Sequence, residues 1–188
     1  MLKKSLFSIF FISTLLFQGC FDGEKNDDTK KVEALVNSNE YVLTSTDSEQ
    51  FVVEKTQNGF ILKDSDAKIV IFDIFATWCP PCQASAQHLS SLQKKFKKDI
   101  VIIGLTIEDN LPNDTLKKFK RKYKANYILA NSPENHRLIT EIASQLKVGD
   151  RFPIPLMAIY KDGKLVQHYI GAVEEEFVAS DIKQALGK

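Results

Sequence analysis

Cysteine is scarce in this chain: its 188 residues include only Cys20, Cys79 and Cys82. Three cannot build a disulfide scaffold, and a zinc ribbon needs two pairs. An excess of either charge is missing too. Lys plus Arg is 25 and Asp plus Glu is 24, a formal charge of +1. That balance offers no basic footprint for nucleic acid. The apolar run at residues 6–17 is shorter than the roughly 20 residues of a comfortable membrane span. What remains is ordinary globular composition, with 44% hydrophobic residues, 26% charged residues and thirteen Phe. It excludes a wholly disordered, collagen-like or polytopic membrane protein. The length fits one domain plus tails.

Each cysteine therefore needs its own explanation. Lys3 and Lys4 precede the apolar run, and Gly19 precedes Cys20. A basic start, a short apolar stretch and a small residue before a cut predict an export signal over 1–19. Phe17-Gln18-Gly19-Cys20 resembles a bacterial lipobox. The resemblance implies cleavage before Cys20, diacylation of its thiol and a lipid anchor facing the periplasm of a bacterial envelope. Several acyl chains hold a protein on a membrane where one does not. The alternative is a plain signal peptide, or an uncleaved anchor with an incidental Cys. Loss of 1–19 removes two Lys and no acid, which leaves 23 basic against 24 acidic side chains, or −1. Residues 20–40 begin polar and poor in buriable side chains, and read as a flexible tether. The folded domain is expected over 41–188.

Within that domain, Phe51-Val52-Val53 and Phe60-Ile61-Leu62 flank Asn58-Gly59, a hairpin signal. Residues 69–75 and 100–106 are short apolar runs, as in strands buried on both faces. Apolar positions 86, 89, 92 and 96 predict a helix over 82–96. Asn113 is expected to cap a helix reaching 123, followed by a strand at 126–129. Ser132-Pro133-Glu134 is expected to open another helix to about 147. Strands at 155–160 and 165–170 join at Lys161-Asp162-Gly163-Lys164, a hairpin turn, before a last helix over 174–186. Alternating strands and helices predict an α/β fold, with helices on both faces of a mixed sheet. The basic run Lys117-Lys118-Lys120-Arg121-Lys122-Lys124 reads as the wet face of its helix; contact with anionic headgroups is the other reading.

Trp78-Cys79-Pro80-Pro81-Cys82 is the chemical signal. A C-x-x-C that follows a buried strand and opens a helix is a redox signature. A helix N-terminus stabilises a thiolate, which is the nucleophile. Cys82, one turn on, is placed to close a tight disulfide with Cys79, and Pro80 and Pro81 stiffen the ring between them. The competing reading is a zinc half-site completed by His88, His136, His168 or a second chain. No pair of these His has metal-site spacing, and an exported compartment favours disulfide chemistry. His88 reads as surface or packing, and His136 and His168 as solvated.

Phe75-Ala76-Thr77-Trp78-Cys79-Pro80-Pro81-Cys82 resembles the thioredoxin superfamily, in its membrane-tethered TlpA/ResA-like branch. The resemblance runs from about residue 51 to the C-terminus. It implies a thioredoxin-like fold with an N-terminal hairpin and an α-β insertion at about 113–129. Ile154-Pro155 resembles the family's cis-proline, and Pro153 competes for that place. A cis bond would turn the Ile154 backbone toward the site, where a substrate strand could pair with it. Asp73 matches the family's buried acid. In an apolar strand its pKa should be raised, which makes it a candidate acceptor for the Cys82 proton. Trp78 is expected to shield the disulfide and touch substrate, or else simply to pack. Leu156, Ser85 and Gln87 depart from the family pattern, so no relative's redox potential is carried over.

The expected protein is an exported, lipid-anchored thiol–disulfide oxidoreductase without cofactor or metal, and a monomer. Protein thiols and disulfides are its expected substrates, and a membrane protein its electron partner. The branch resemblance implies reduction, for example of apocytochrome c thiols. The rivals are a DsbA-type oxidase or isomerase and a non-catalytic adaptor or chaperone on the same scaffold.

Overall fold

The computed structural model describes residues 39–188. The export signal, Cys20 and all but the last two residues of the expected tether lie outside the described residues. Eight strands and four helices follow one another: β1 (Glu40–Thr44), β2 (Gln50–Lys55), β3 (Phe60–Leu62), β4 (Ile69–Phe75), α1 (Pro80–Phe96), β5 (Ile100–Thr106), α2 (Asn113–Lys122), β6 (Ile128–Ala130), α3 (Asn135–Leu146), β7 (Leu156–Lys161), β8 (Lys164–Ile170) and α4 (Glu175–Leu186). One 3-10 turn, Lys97–Asp99, separates α1 from β5.

Five strands form a mixed sheet in the order β6-β5-β4-β7-β8. β4 lies at its centre, parallel to β5 and antiparallel to β7. All seven β4 residues are buried, as a strand covered on both faces requires. Its side chains alternate between two cores. Ile69, Ile71 and Phe75 join buried residues of α1, α2 and α4, while Val70, Phe72 and Ile74 join α3 and the first three strands. The predicted thioredoxin-like α/β architecture is thus present, with helices on both faces.

The expected N-terminal hairpin is present as the antiparallel pair β2-β3, and a further strand extends it to a three-stranded sheet of order β1-β2-β3. The missed strand is β1, whose Tyr41 and Leu43 are fully buried. Two apolar residues between polar neighbours carry little local signal; β1 gains its place by pairing with β2. The small sheet is fastened to the large one by aromatic edges. The Phe60 ring meets Phe72 at 5.9 Å and Tyr160 at 5.3 Å, both near perpendicular, each pair contributing about 0.5–1.5 kcal/mol beyond area burial. Backbone bonds from Thr46 to Leu129 and from Asn131 to Thr44 cover the β6 edge.

Several boundaries differ from expectation, among them the start of α1, at Pro80 rather than 82. Asn113 is the first residue of α2, not its cap; its amide donates to the Thr46 carbonyl at 2.9 Å. Helix α3 starts at Asn135, after a turn in which the Ser132 hydroxyl donates to the Val42 carbonyl at 3.1 Å and accepts from the Glu134 N–H at 3.3 Å. The short strand expected at 126–129 is β6, two residues later at its start. The β7–β8 turn is as predicted, with positive φ at Asp162 (47°) and Gly163 (76°), the backbone of a type I′ hairpin.

Candidate active site

Strand β4 delivers the chain to a turn at Ala76, Thr77 and Trp78, and α1 begins immediately after Cys79. Cys79 is the N-cap residue (φ −81°, ψ 111°), and its sulfur accepts from the Cys82 N–H at 3.3 Å. No acidic residue sits in the first turn of α1, so no side chain of that turn offsets the positive helix end that favours a thiolate. Cys79 and Cys82 are joined as a disulfide, with Cα atoms 5.3 Å apart. Both are buried, whereas Pro80 and Pro81 between them are exposed. The two sulfurs are thus bonded to each other rather than offered to a metal. Among the described residues no three or more His, Cys, Asp or Glu side chains gather into a metal-binding group.

Ile154-Pro155 is the cis peptide bond expected, and Pro153 is not cis. Pro155 leads directly into β7, beside β4. The Ile154 carbonyl oxygen lies 3.9 Å from Cys79 Sγ. Trp78 is 65% exposed, so it does not serve as core packing. With Ile107, Ile139, Phe152 and Ile154 it lines a largely apolar cleft of about 410 Å³, with His136, Asp150 and Arg151 also lining it. His136 is not simply solvated: its Nε2 lies 2.7 Å from an Asp109 carboxylate oxygen. A wider cleft of about 620 Å³ runs past Thr77 and Gln83 to the exposed Lys118, Arg121 and Lys122 of α2.

Asp73 is buried mid-strand on the face that packs against α1. Burial pushes its pKa up to about 7, and a hydrogen bond donated by the Tyr127 phenol at 3.3 Å opposes that rise. Asp73 also lines a narrow cleft of about 10 Å³ with Ser85, Pro155, Glu175 and the exposed His88, space of roughly one water molecule. Ser85, 82 and 89 share one helical face, so the cleft abuts the turn that carries Cys82. A buried carboxyl poised near neutrality can take up or release a proton where water has little access.

Three contributors were not anticipated. Tyr127 is one. Glu108, just beyond β5, is the second: its carboxylate accepts from the Thr77 N–H at 2.6 Å and the Thr77 hydroxyl at 2.9 Å. Gln83 is the third, donating to the Thr77 carbonyl at 2.7 Å. Glu108 and Gln83 together fix Thr77, two residues before Cys79. Glu108 had one available signal, since sites in α/β sheets gather at the carboxyl ends of parallel strands. Tyr127 and Gln83 had none.

The Redoxin family model matches residues 37–186. A thiol-disulfide oxidoreductase ResA of Bacillus cereus (strain ZK / E33L) is 31% identical over 129 residues, covering 67% of this chain and 69% of its own. Another ResA, of Bacillus cereus (strain ATCC 10987 / NRS 248), is 25% identical over 171 residues, covering 90% and 85%. Among solved structures, a thiol:disulfide interchange protein of the thioredoxin family from Chlorobium tepidum TLS superposes with a TM-score of 0.63 at 19% identity, over 80% of this chain and 95% of that one; it supports the fold. The chain belongs to the redoxin family, as a ResA-like thiol-disulfide oxidoreductase of the thioredoxin superfamily.

Proposed function

We propose that this protein is a lipid-anchored reductant of protein disulfides in the bacterial cell envelope. The observation that carries the redox step is the Cys79–Cys82 disulfide at the start of α1, beside the Ile154 carbonyl and the Trp78 cleft. In the reduced protein, the Cys79 thiolate attacks one sulfur of a substrate disulfide. A mixed disulfide forms and the other substrate sulfur leaves as a thiolate. The Cys82 thiol passes its proton to Asp73, and the resulting thiolate attacks Cys79 Sγ. The mixed disulfide breaks, the Cys79–Cys82 disulfide forms, and the substrate departs with both sulfurs reduced. Two electrons move and no cofactor is required. A membrane dithiol partner then restores the reduced pair.

An extended substrate segment fits between Trp78 and the Ile154-Pro155 backbone, with an apolar side chain in the cleft floored by Ile139 and Phe152. Pro80 and Pro81, exposed around the disulfide, form the facing edge. Peptide recognition by strand pairing to an exposed backbone supports this seating. Apocytochrome c thiols are the proposed substrate class, and the lipobox-like Phe17-Gln18-Gly19-Cys20 supports anchoring through Cys20.

Cys82→Ser in cells should leave substrates covalently held on Cys79, released by dithiothreitol and identified by mass spectrometry. Capture of envelope proteins with paired cysteines, cytochrome c precursors among them, is the expected result. Absence of any mixed disulfide from a folded Cys82→Ser protein would sink the reading. Labelled palmitate should attach to the wild type and not to Cys20→Ala.

A further inference from the structure

We propose that Tyr127 is a positioning residue for this reaction: its phenol holds the Asp73 carboxylate ready to receive the Cys82 proton. The inference rests on the proton-acceptor role given to Asp73 above. Two independent observations carry it. The first is the hydrogen bond itself, 3.3 Å long between two buried side chains. The second is a gap in the neighbouring strand, which the ring shares with Leu129 and Phe75. Gly104 of β5 is the register partner of Asp73, so a side chain at 104 would rise on the same face, next to the carboxylate. A Cβ there would stand 3.2 Å from Tyr127 Cε2, 3.1 Å from Phe75 Cε1 and 2.7 Å from Leu129 Cδ2. Glycine at this one position lets Tyr127 lie over the strand and reach Asp73.

The α-β insertion thereby acquires a chemical task. Leu116 and Phe119 of α2 seat in the same core as Tyr127, and Leu129 in β6 fixes the chain just after it. The insertion carries a phenol from the sheet edge to the buried acid.

The physics is a balance of two effects. Burial alone favours the neutral acid, which has no room for the Cys82 proton. A phenol donated to the carboxylate favours the anion and fixes which oxygen it engages, leaving the other for the incoming proton. The other titratable groups that line the Asp73 cleft are His88 on α1 and Glu175 on α4; Cys82 lies one helical turn before Ser85, which lines the same cleft. β5 contributes Gly104 and β7 contributes Met157, neither of them charged. When Cys82 gives up its proton, Asp73 becomes the neutral acid; it then loses the proton through the cleft that it shares with His88 and Glu175.

The test uses the full-length oxidised protein, in which no cysteine thiol of the pair titrates. The Asp73 carboxyl carbon is followed by ¹³C NMR against pH. In Tyr127→Phe its titration should move upward by about one pH unit, and turnover of insulin disulfides by the reduced protein at pH 7 should fall about fivefold, recovering near pH 9. Gly104→Ala, which crowds Leu129, Phe75 and the Tyr127 ring over the strand, should move the titration the same way. In an Asp73→Asn background, Tyr127→Phe should cause no further loss. An unmoved titration in both folded variants, or a turnover loss equal at every pH, would overturn the inference. If the titration moves but Asp73→Asn turns over at the wild-type rate, the acceptor role of Asp73 is what fails.

Discussion

The Ile154 carbonyl oxygen stands 3.9 Å from Cys79 Sγ, although 75 residues separate the two in sequence. Strand β7 brings this about. It pairs antiparallel with β4 from Ile74↔Leu156 onward, so the residues before β7 end where the chain leaves β4 for the dithiol. Cys79 and the backbone proposed to hold a substrate strand are therefore placed by one strand pairing.

Trp78 and Phe152 line the same apolar cleft beside this pair. If the cleft seats a substrate side chain, Trp78→Ala should raise KM for a disulfide-bonded peptide about tenfold, from the loss of part of an aromatic burial contribution of about 1.5–3 kcal/mol. The rate with a small disulfide such as oxidised glutathione should change little. Equal losses with both substrates would place Trp78 in the chemistry and not in substrate seating.

Asp73 makes stability depend on pH. Its folded value, about 7, lies above its ordinary 3.8, so between these limits the folded state holds more protons than the unfolded. Stability then falls as pH rises through that window. At about 1.4 kcal/mol per pH unit, the ionised carboxylate costs the fold on the order of 4 kcal/mol above pH 7. Oxidised Asp73→Asn should therefore exceed wild type in urea stability at pH 8, and the difference should shrink toward pH 4. A difference independent of pH would contradict the buried, near-neutral carboxyl.

Glu108 holds the loop that presents Cys79. Glu108→Ala removes the acceptor of both the Thr77 amide and hydroxyl, and hydrogen bonds to charged groups contribute about 1.5–3 kcal/mol. A loss of about 2 kcal/mol in urea unfolding of the oxidised protein is expected, with slower reduction of insulin. Glu108→Gln, which keeps one acceptor oxygen, should recover part of both. An unchanged unfolding midpoint in Glu108→Ala would show that water replaces these bonds at no cost.

The legible parts of this fold were those with local causes. Seven consecutive apolar-dominated residues at β4, the dithiol at a helix start, and Asp162-Gly163 at a hairpin all act through their immediate neighbours. Asp73 stood out because one carboxylate interrupts IVIFDIF. The cis bond was expected at Pro155 from the family resemblance, with Pro153 as its competitor. What stayed hidden depends on distant partners. β1 gains its place by pairing with β2, and the turn ahead of α3 is tied through Ser132 to the distant Val42 carbonyl. Tyr127 looked like one apolar residue of a short strand. The role proposed for it uses the space left at Gly104, which no spacing rule reports.

The direction of the reaction is the centre of the account, and the equilibrium potential of Cys79–Cys82 tests it most directly. The full-length protein would be equilibrated in dithiothreitol and glutathione buffers, with the oxidation state read by the fluorescence of Trp78, the single tryptophan. A reductant should lie near about −270 mV or lower, whereas a value near about −120 mV belongs to a strong oxidant. The first result is the one predicted; the second would contradict it.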